Sequence, residues 1–276
     1  MNKPKLALID GDILAYKACA GVSYEVYFPS MTPAMYLEPS DTIISHLNFE
    51  NCMDDFSSVE SYFHDAWEVF EVYVDAIKNV VDDIVVVFSD PHSNFRKDID
   101  SFYKSNRAGK PRPNHLLKVK HEATKHYRCK MIERLEGDDV LGILSTSRKF
   151  MPDYEKTIWT IDKDMKTIPG LLHDLFNDEQ SVLVSPEDAR KYHLLQTLMG
   201  DACDGYKGCE GFGIKTATKW LDKEGWTWAG VVKAYESKGM TVDDAIKTAR
   251  LAYILQAKDY KAKSKEIILW QPPQEG

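Results

Sequence analysis

Nine acids from five places in the chain carry the chemistry. Asp10, Asp90, Asp162 and Asp164 follow apolar runs, Glu136, Asp138 and Asp139 precede one, and Asp201 and Asp204 stand three residues apart before a series of glycines. Drawn into one cleft, such carboxylates would repel one another strongly, because a low dielectric amplifies like charge. Oxygen-only donors with few histidines suit Mg2+ or Mn2+. Two such ions about 4 Å apart can activate a water and steady the leaving oxygen of a phosphodiester. Any one acid of this kind is ordinarily a surface charge or a helix cap; it is the set that points to metal chemistry. The net charge is −8, and without these nine acids the balance would be +1, so the constellation accounts for most of the acidity.

The stretch 199–220, MGDACDGYKGCEGFGIKTATKW, offers the complementary half of such chemistry. Asp201 and Asp204 stand at what reads as a helix end. Gly205, Gly208, Gly211 and Gly213 then form a turn, and a new helix starts at Ile214. Backbone N–H groups at that helix start, with Gly211, Gly213, Thr216 and the charge of Lys215, make a phosphate site. The charge distribution agrees. Residues 96–134 hold twelve Lys/Arg against four Asp/Glu, a local +8, whereas residues 18–77 hold eleven acids and no Lys or Arg. A chain so polarised has one face for anions and one that repels them.

The elements that must position these groups alternate. Residues 5–9, 83–88 and 156–161 read as buried parallel strands, each followed by an acid. On an extended chain Asp162 and Asp164 would share a side. Asp12 would cap the helix 13–20. An amphipathic helix is expected over 59–81, a basic helix over 115–134, and helices at 140–144, 186–198 and 226–258. Short strands are expected at 181–184 and 266–270. Three prolines make residues 21–58 read as loops with short pieces. Strands alternating with helices argue an α/β class with a mostly parallel central sheet flanked by helices. Ligands bind such sheets at the carboxyl ends of the strands.

At 276 residues the chain is one large domain, or a domain with an appendage. It has no internal repeat and no run of about 18 apolar residues. MNKPKLALIDGD turns acidic too soon for a signal peptide. Five cysteines, none spaced as CxxC, indicate reduced thiols in a cytoplasmic protein rather than zinc or disulfides.

Six motifs in order, LIDGD (8–12), VVVFSD (85–90), FYKSNR (102–107), LEGDDVLG (135–142), TIDKDM (160–165) and MGDACDGYKGCEGFGIKTA (199–217), make the chain resemble the 5′ nuclease or flap endonuclease family. It is most similar to the stand-alone 5′→3′ exonucleases of short-tailed bacteriophages. The motifs span about 200 residues. The resemblance implies a PIN-like nuclease domain (1–190) with a helical arch at 94–134, and a C-terminal helix-hairpin-helix subdomain (191–276) that grips duplex DNA, with K+ at the hairpin. It implies a base stacked on Tyr103, and Lys104 and Arg107 on the scissile phosphate. Expected substrates are double-stranded DNA with 5′ ends or flaps, with RNA–DNA hybrids and a replication-protein partner as further expectations. The expected products carry 5′-phosphates. The setting would be phage DNA replication, recombination or host DNA degradation in the host cytoplasm. Two positions depart from the pattern: Gln196 stands where some relatives have a lysine, and residues 18–77 have no counterpart in the family core.

Two other readings compete. Asp10-x-Asp12 after a strand also resembles a haloacid-dehalogenase-type phosphatase, but no threonine follows Asp12 and the basic segment would have no use. A non-catalytic, structure-specific DNA-binding protein would leave nine acids as a cost, since carboxylates repel DNA.

Overall fold

A run of four consecutive apolar residues, Leu6–Ile9, each 0% exposed, forms the centre of the fold. The computed structural model describes residues 3–22, 62–109, 112–177 and 181–273 in full, and three short strands between 24 and 60 by their backbone. β1 (Lys5–Asp10) leads into α1 (Gly11–Gly21). β2 (Tyr24–Pro29), β3 (Tyr36–Leu37) and β4 (Asp55–Glu60) pair antiparallel in the order β3-β2-β4. α2 (Phe63–Lys78), β5 (Asp83–Val87), a one-turn helix α3 (Arg96–Ile99), α4 (Leu116–His126) and β6 (Cys129–Lys130) follow. Then come α5 (Gly137–Thr146), β7 (Glu155–Trp159), β8 (Gly170–His173) and β9 (Val182–Val184). The chain closes with α6 (Pro186–Met199), β10 (Gly200–Asp201), β11 (Tyr206–Lys207), α7 (Ile214–Glu224), α8 (Trp228–Glu236), α9 (Val242–Ala252), β12 (Tyr260–Lys261) and β13 (Glu266–Ile267).

The main sheet runs β6-β5-β1-β7-β8-β9. All its pairings are parallel except that of β9 on β8. Side chains alternate across a strand, so β1 feeds two cores. Ala7 and Ile9 pack with α1, α2 and α4 through Leu14, Phe70 and Val119. Leu6 and Leu8 pack with α5 and the returning segment Tyr253–Leu255. A third core, with Leu198, Leu221, Val231, Tyr235 and Ala249, joins α6 to α9. Ser185, Thr227 and Thr241 cap α6, α8 and α9, each accepting from a backbone N–H three residues on. No helix among the described residues is long and apolar enough to cross a membrane.

Several expected boundaries move. The basic helix is α4 alone, ending at His126. The Tyr127 ring lies 6.2 Å from those of both Trp67 and Phe70. That packing turns the chain down onto the sheet edge, where Val86 N donates to Arg128 O (3.0 Å) and Phe88 N to Lys130 O (2.9 Å). The helix expected from residue 59 begins at Phe63, because Val59 and Glu60 belong to β4. Helix 226–258 is split by the Thr241 cap. Strand 266–270 is only the two-residue β13. β6 and β8 were not foreseen. Much of the base-free stretch 18–77 is described by its backbone alone or lies outside the described residues; within it, α2 exposes Asp65, Glu68 and Asp75 on its outer face.

His193 sets a pH dependence for the third core. It is 5% exposed, its Nε2 donates to Ala249 O at 2.9 Å, and the Tyr253 and Trp270 rings each stand 5.2 Å away. Burial pushes the imidazole down to about 4 against the opposing pull of that carbonyl. The unfolded chain therefore binds a proton that the folded protein refuses. Stability is full above pH about 6.5 and falls as the pH drops toward 4, by about 3 kcal/mol in all. Urea unfolding at pH 7, 5.5 and 4.5 is expected to show this loss. His193→Gln is expected to flatten it; an unaltered slope in the variant would place its source elsewhere.

Candidate active site

Asp10 ends β1 and begins α1. One carboxylate oxygen accepts from Ile13 N at 3.1 Å and the other from Thr160 Oγ1 at 2.8 Å. It is the helix cap, so Asp12, expected in that role, is displaced from it. Asp12 instead accepts from Ser89 N (2.9 Å) and Ser89 Oγ, and pairs with Lys120 of α4 at 2.5 Å. Gly11 allows the sharp passage from strand to helix: a Cβ there would come within 2.8 Å of Val87 O and closer still to the Phe88 and Val86 side chains.

Asp138 lies on the first turn of α5, where a helix dipole favours acids. Burial raises its pKa well above the usual carboxylate range, and the charges of Asp10, Asp162 and Glu136 add to that. Asp10 is likewise pushed up to about 7, first by burial and then by Asp12. Asp162 and Asp164 do not sit on an extended chain. β7 stops at Trp159, and Asp162 caps a 3₁₀ turn by accepting from Asp164 N at 2.8 Å. The two still repel: Asp164 is raised by burial and then by the Asp162 charge.

A second group adjoins the first. Lys104 Nζ sits between Glu136 and Asp204, in contact with the former and 3.5 Å from the latter. Tyr103 Oη bonds both acids, at 2.9 and 2.8 Å. Arg107 reaches Asp204 at 2.6 Å and Cys203 O at 3.1 Å. Lys163 lies 3.0 Å from Asp164 and 3.6 Å from Asp201. Burial works against the charge on Glu136, but Lys104 and Arg96 outweigh it and hold the carboxyl at about 2. Burial opposes the Lys104 ammonium too, yet Glu136, Asp204 and Asp138 raise it above its ordinary value. Lys104 takes a left-handed backbone conformation (φ 56), and its N–H donates to Asp204 O at 2.8 Å.

Two of the expected site residues are corrected. Asp139 is 0% exposed and faces inward; its oxygens accept from Arg96 Nη1 (2.6 Å) and Nη2 (2.9 Å), from Leu255 N (3.0 Å) and from Glu136 N (3.3 Å). With every lone pair so engaged it is the counter-ion of Arg96. Tyr103 is 2% exposed and stacks on Tyr206, so its ring has no open face for a base; the exposed aromatic of that segment is Phe102, at 72%. Asp90 is not drawn into the chain of acids. Its carboxylate holds its own loop through His92 N, Ser93 Oγ and Arg134 N.

The hairpin β10–β11 closes on the end of α6. A Cβ at Gly200 or Gly208 would collide with the other strand's backbone. At the far end Gly213 caps α7 with no side chain of its own, and Gly211, Gly213, Lys215 and Thr216 are all exposed. Gln196 is buried in α6 at 3% exposure, away from the surface.

Neither the pairing of Arg96 with Asp139 nor the group Asp12, Ser89 and Lys120 was singled out from the sequence. The available signal was Asp138-Asp139: adjacent helix residues point about 100° apart, so one must face the core and need a buried cation.

As a donor set the cluster fits a hard divalent cation. Asp10 and Asp138 are all-oxygen groups pushed up first by burial and then by neighbouring carboxylates, Asp12 for Asp10 and Asp10 for Asp138, and added positive charge would relieve both. No three acid, histidine or cysteine side chains among the described residues close into a ready cage. Lys104 and Lys163 instead lie between the acids.

The family model for the 5′-3′ exonuclease N-terminal resolvase-like domain matches residues 60–188. The exodeoxyribonuclease of Enterobacteria phage T3 is 30% identical over 223 residues, 68% of this chain and 73% of that one. The exonuclease of Escherichia phage T7 is 30% identical over 68% and 74% of the two chains. Among solved structures, phage T5 5′-exonuclease with bound zinc aligns at a TM-score of 0.61 and 16% identity over 90% of this chain and 89% of that one. The T5 flap endonuclease in a complex with DNA and metal ions aligns at 0.57 and 14%, over 90% and 93%. These structures share the fold, and the phage relatives carry the sequence likeness across most of both chains. From that shared sequence, the chain belongs to the 5′–3′ exonuclease family and is a nuclease.

Proposed function

We propose that this nuclease hydrolyses phosphodiesters at 5′ ends and 5′ flaps of double-stranded DNA with two Mg2+ ions, for which Mn2+ can substitute, and leaves 5′-phosphates. The observation that carries the reading is the joining of the two groups: Asp138, raised by burial and then by the charge of Asp10, also feels the charge of Lys104, which sits beside Glu136 and Asp204. Anion-holding and cation-holding groups thus adjoin one another. The printed names of the relatives, an exodeoxyribonuclease and T5 proteins crystallised with metal ions or DNA, lend support.

Asp10, Asp138, Asp162 and Asp164, with Glu136, Asp201 and Asp204, would hold the ions. Bound there, the ions supply the positive charge that lowers the barrier to attack of water on phosphorus. Lys104 and Arg107 leave their acid partners to hold non-bridging phosphate oxygens, where the guanidinium can bind two at once. Phe102, rather than the buried Tyr103, offers an open ring for a terminal base. Arg96 keeps Glu136 turned into the cleft at 3.1 Å. The division of labour runs between residues 1–190 and residues 191–276, whose hairpin and α7 start grip the duplex at a distance, with K+ at the hairpin. RNA–DNA hybrids as substrates, a replication-protein partner and a host-cytoplasmic site of action belong to the same proposal.

A 5′-labelled duplex and a 5′-flap substrate, each incubated with Mg2+, Mn2+ or EDTA, test it. Release of labelled nucleotides or flaps only with metal is expected; release of inorganic phosphate alone would point to the phosphatase reading, and tight binding without release to a binding protein. The two lysines are expected to differ. Lys104→Ala lowers single-turnover cleavage more than affinity. Lys215→Ala weakens binding and reduces the salt slope by about 1. Equal balances of rate and affinity loss would refute the division.

A further inference from the structure

At the end of the strands opposite the acids, an open surface depression of about 410 Å³ is lined by Lys3, Arg148 and Lys156, by Ser145, Ser147 and Tyr154, and by no acid. Its position follows from the topology. Lys3 precedes β1, Lys156 lies at the start of β7, and Ser145–Arg148 lie at and beyond the last turn of α5. Those three elements carry Asp10, Asp162 and Asp138 at or just beyond their other ends. A strand of five or six residues and a ten-residue helix separate the two ends by roughly 15 Å.

We infer that this depression binds a nucleoside 5′-monophosphate, with its phosphate among Lys3, Arg148 and Lys156 and its base against Tyr154. In a chain of net charge −8, three cations converge here and none pairs with a carboxylate among the described residues. Lys3 Nζ donates to Pro152 O at 2.9 Å, and Lys156 Nζ to Leu144 O at 3.4 Å and to Ser147 O. Those carbonyls fix the ammonium groups in place while leaving each with further N–H donors. Lys156 is half-buried, and its pKa is lowered first by burial and then by the charge of Lys3. An arriving phosphate would relieve that repulsion. The volume would admit a small ligand, and the half-buried Tyr154 gives a base an aromatic side chain to cover that inorganic phosphate would not use. A phosphomonoester of this kind can come free in solution or on the end of a strand. The inference does not rest on the metal or DNA reading of the acid cluster.

The test is calorimetric titration of the full chain in EDTA, where the catalytic acids repel phosphate. Deoxyadenosine 5′-monophosphate is expected to bind saturably at millimolar concentrations, and deoxyadenosine not at all. Lys3→Ala/Arg148→Ala, both substitutions at exposed side chains, is expected to weaken binding by about tenfold or more with an unchanged unfolding midpoint and unchanged DNA cleavage. Tighter binding by a 5′-phosphorylated trinucleotide assigns the depression to strand ends; tighter binding by the mononucleotide assigns it to free nucleotide. No saturable binding, or equal affinity in wild type and variant, overturns the inference.

Discussion

Asp162→Asn is expected to slow DNA cleavage by about a hundredfold or more while leaving affinity for DNA in Ca2+ or EDTA nearly intact. The asparagine carbonyl can still accept from Asp164 N and hold the 3₁₀ turn that follows β7. What it removes is one negative charge from the group formed with Asp10, Asp138 and Asp164. The fold is kept and cation affinity falls, so the measurement is single-turnover cleavage against Mg2+ concentration, with circular dichroism as the control. Activity within a few-fold of wild type at every Mg2+ concentration would remove Asp162 from the ion-holding set.

Arg96→Met is expected to cost about 3–5 kcal/mol of folding stability, because removing one partner of a buried ion pair strands the other charge. Arg96 is 2% exposed and donates to Asp139, to Glu136 and to the carbonyls of Leu251 (3.0 Å) and Tyr253 (2.7 Å). Those bonds tie the basic segment, the start of α5 and the end of α9 at one point. Asp139 raises the Arg96 pKa above even its usual value against the cost of burial. Arg96→Met/Asp139→Leu should recover part of the loss, since apolar replacement of both partners removes the stranded charge. Urea unfolding of the single and double variants checks this; a single-variant loss below about 1 kcal/mol would mean that water reaches the pair.

The sheet was legible because β1, β5 and β7 each carry an apolar run, Leu6–Ile9, Ile84–Val87 and Ile158–Trp159, with an acid at or soon after its end. That pattern needs no tertiary information. β6 and β8 were not, because Cys129–Lys130 and Gly170–His173 are short and become strands only by adding to an existing edge. The acids were legible as a set and illegible as individuals. Asp138 and Asp139 are chemically identical, and only the phase of α5 sends one into the cleft and the other onto Arg96. The same held for Phe102 and Tyr103, where the turn at Lys104 decides which ring is buried. The capping role expected of Asp12 falls to Asp10 because α1 begins at Gly11, two residues earlier than a helix starting at residue 13.

The glycine crossing at the foot of the hairpin has a metrical consequence. Gly200 and Gly208 lie so close that neither strand can slide or swell, and Cys209 N is fastened to Leu198 O at 2.8 Å. Asp201 and Asp204 at one end and Gly213 at the other are therefore set apart by a link of constant length. Under the proposed function this link is a gauge: the phosphodiester presented to the acids lies a fixed number of nucleotides from the phosphate held at α7. The step of the cut along DNA would then be set by these two glycines and not by the bases being cut.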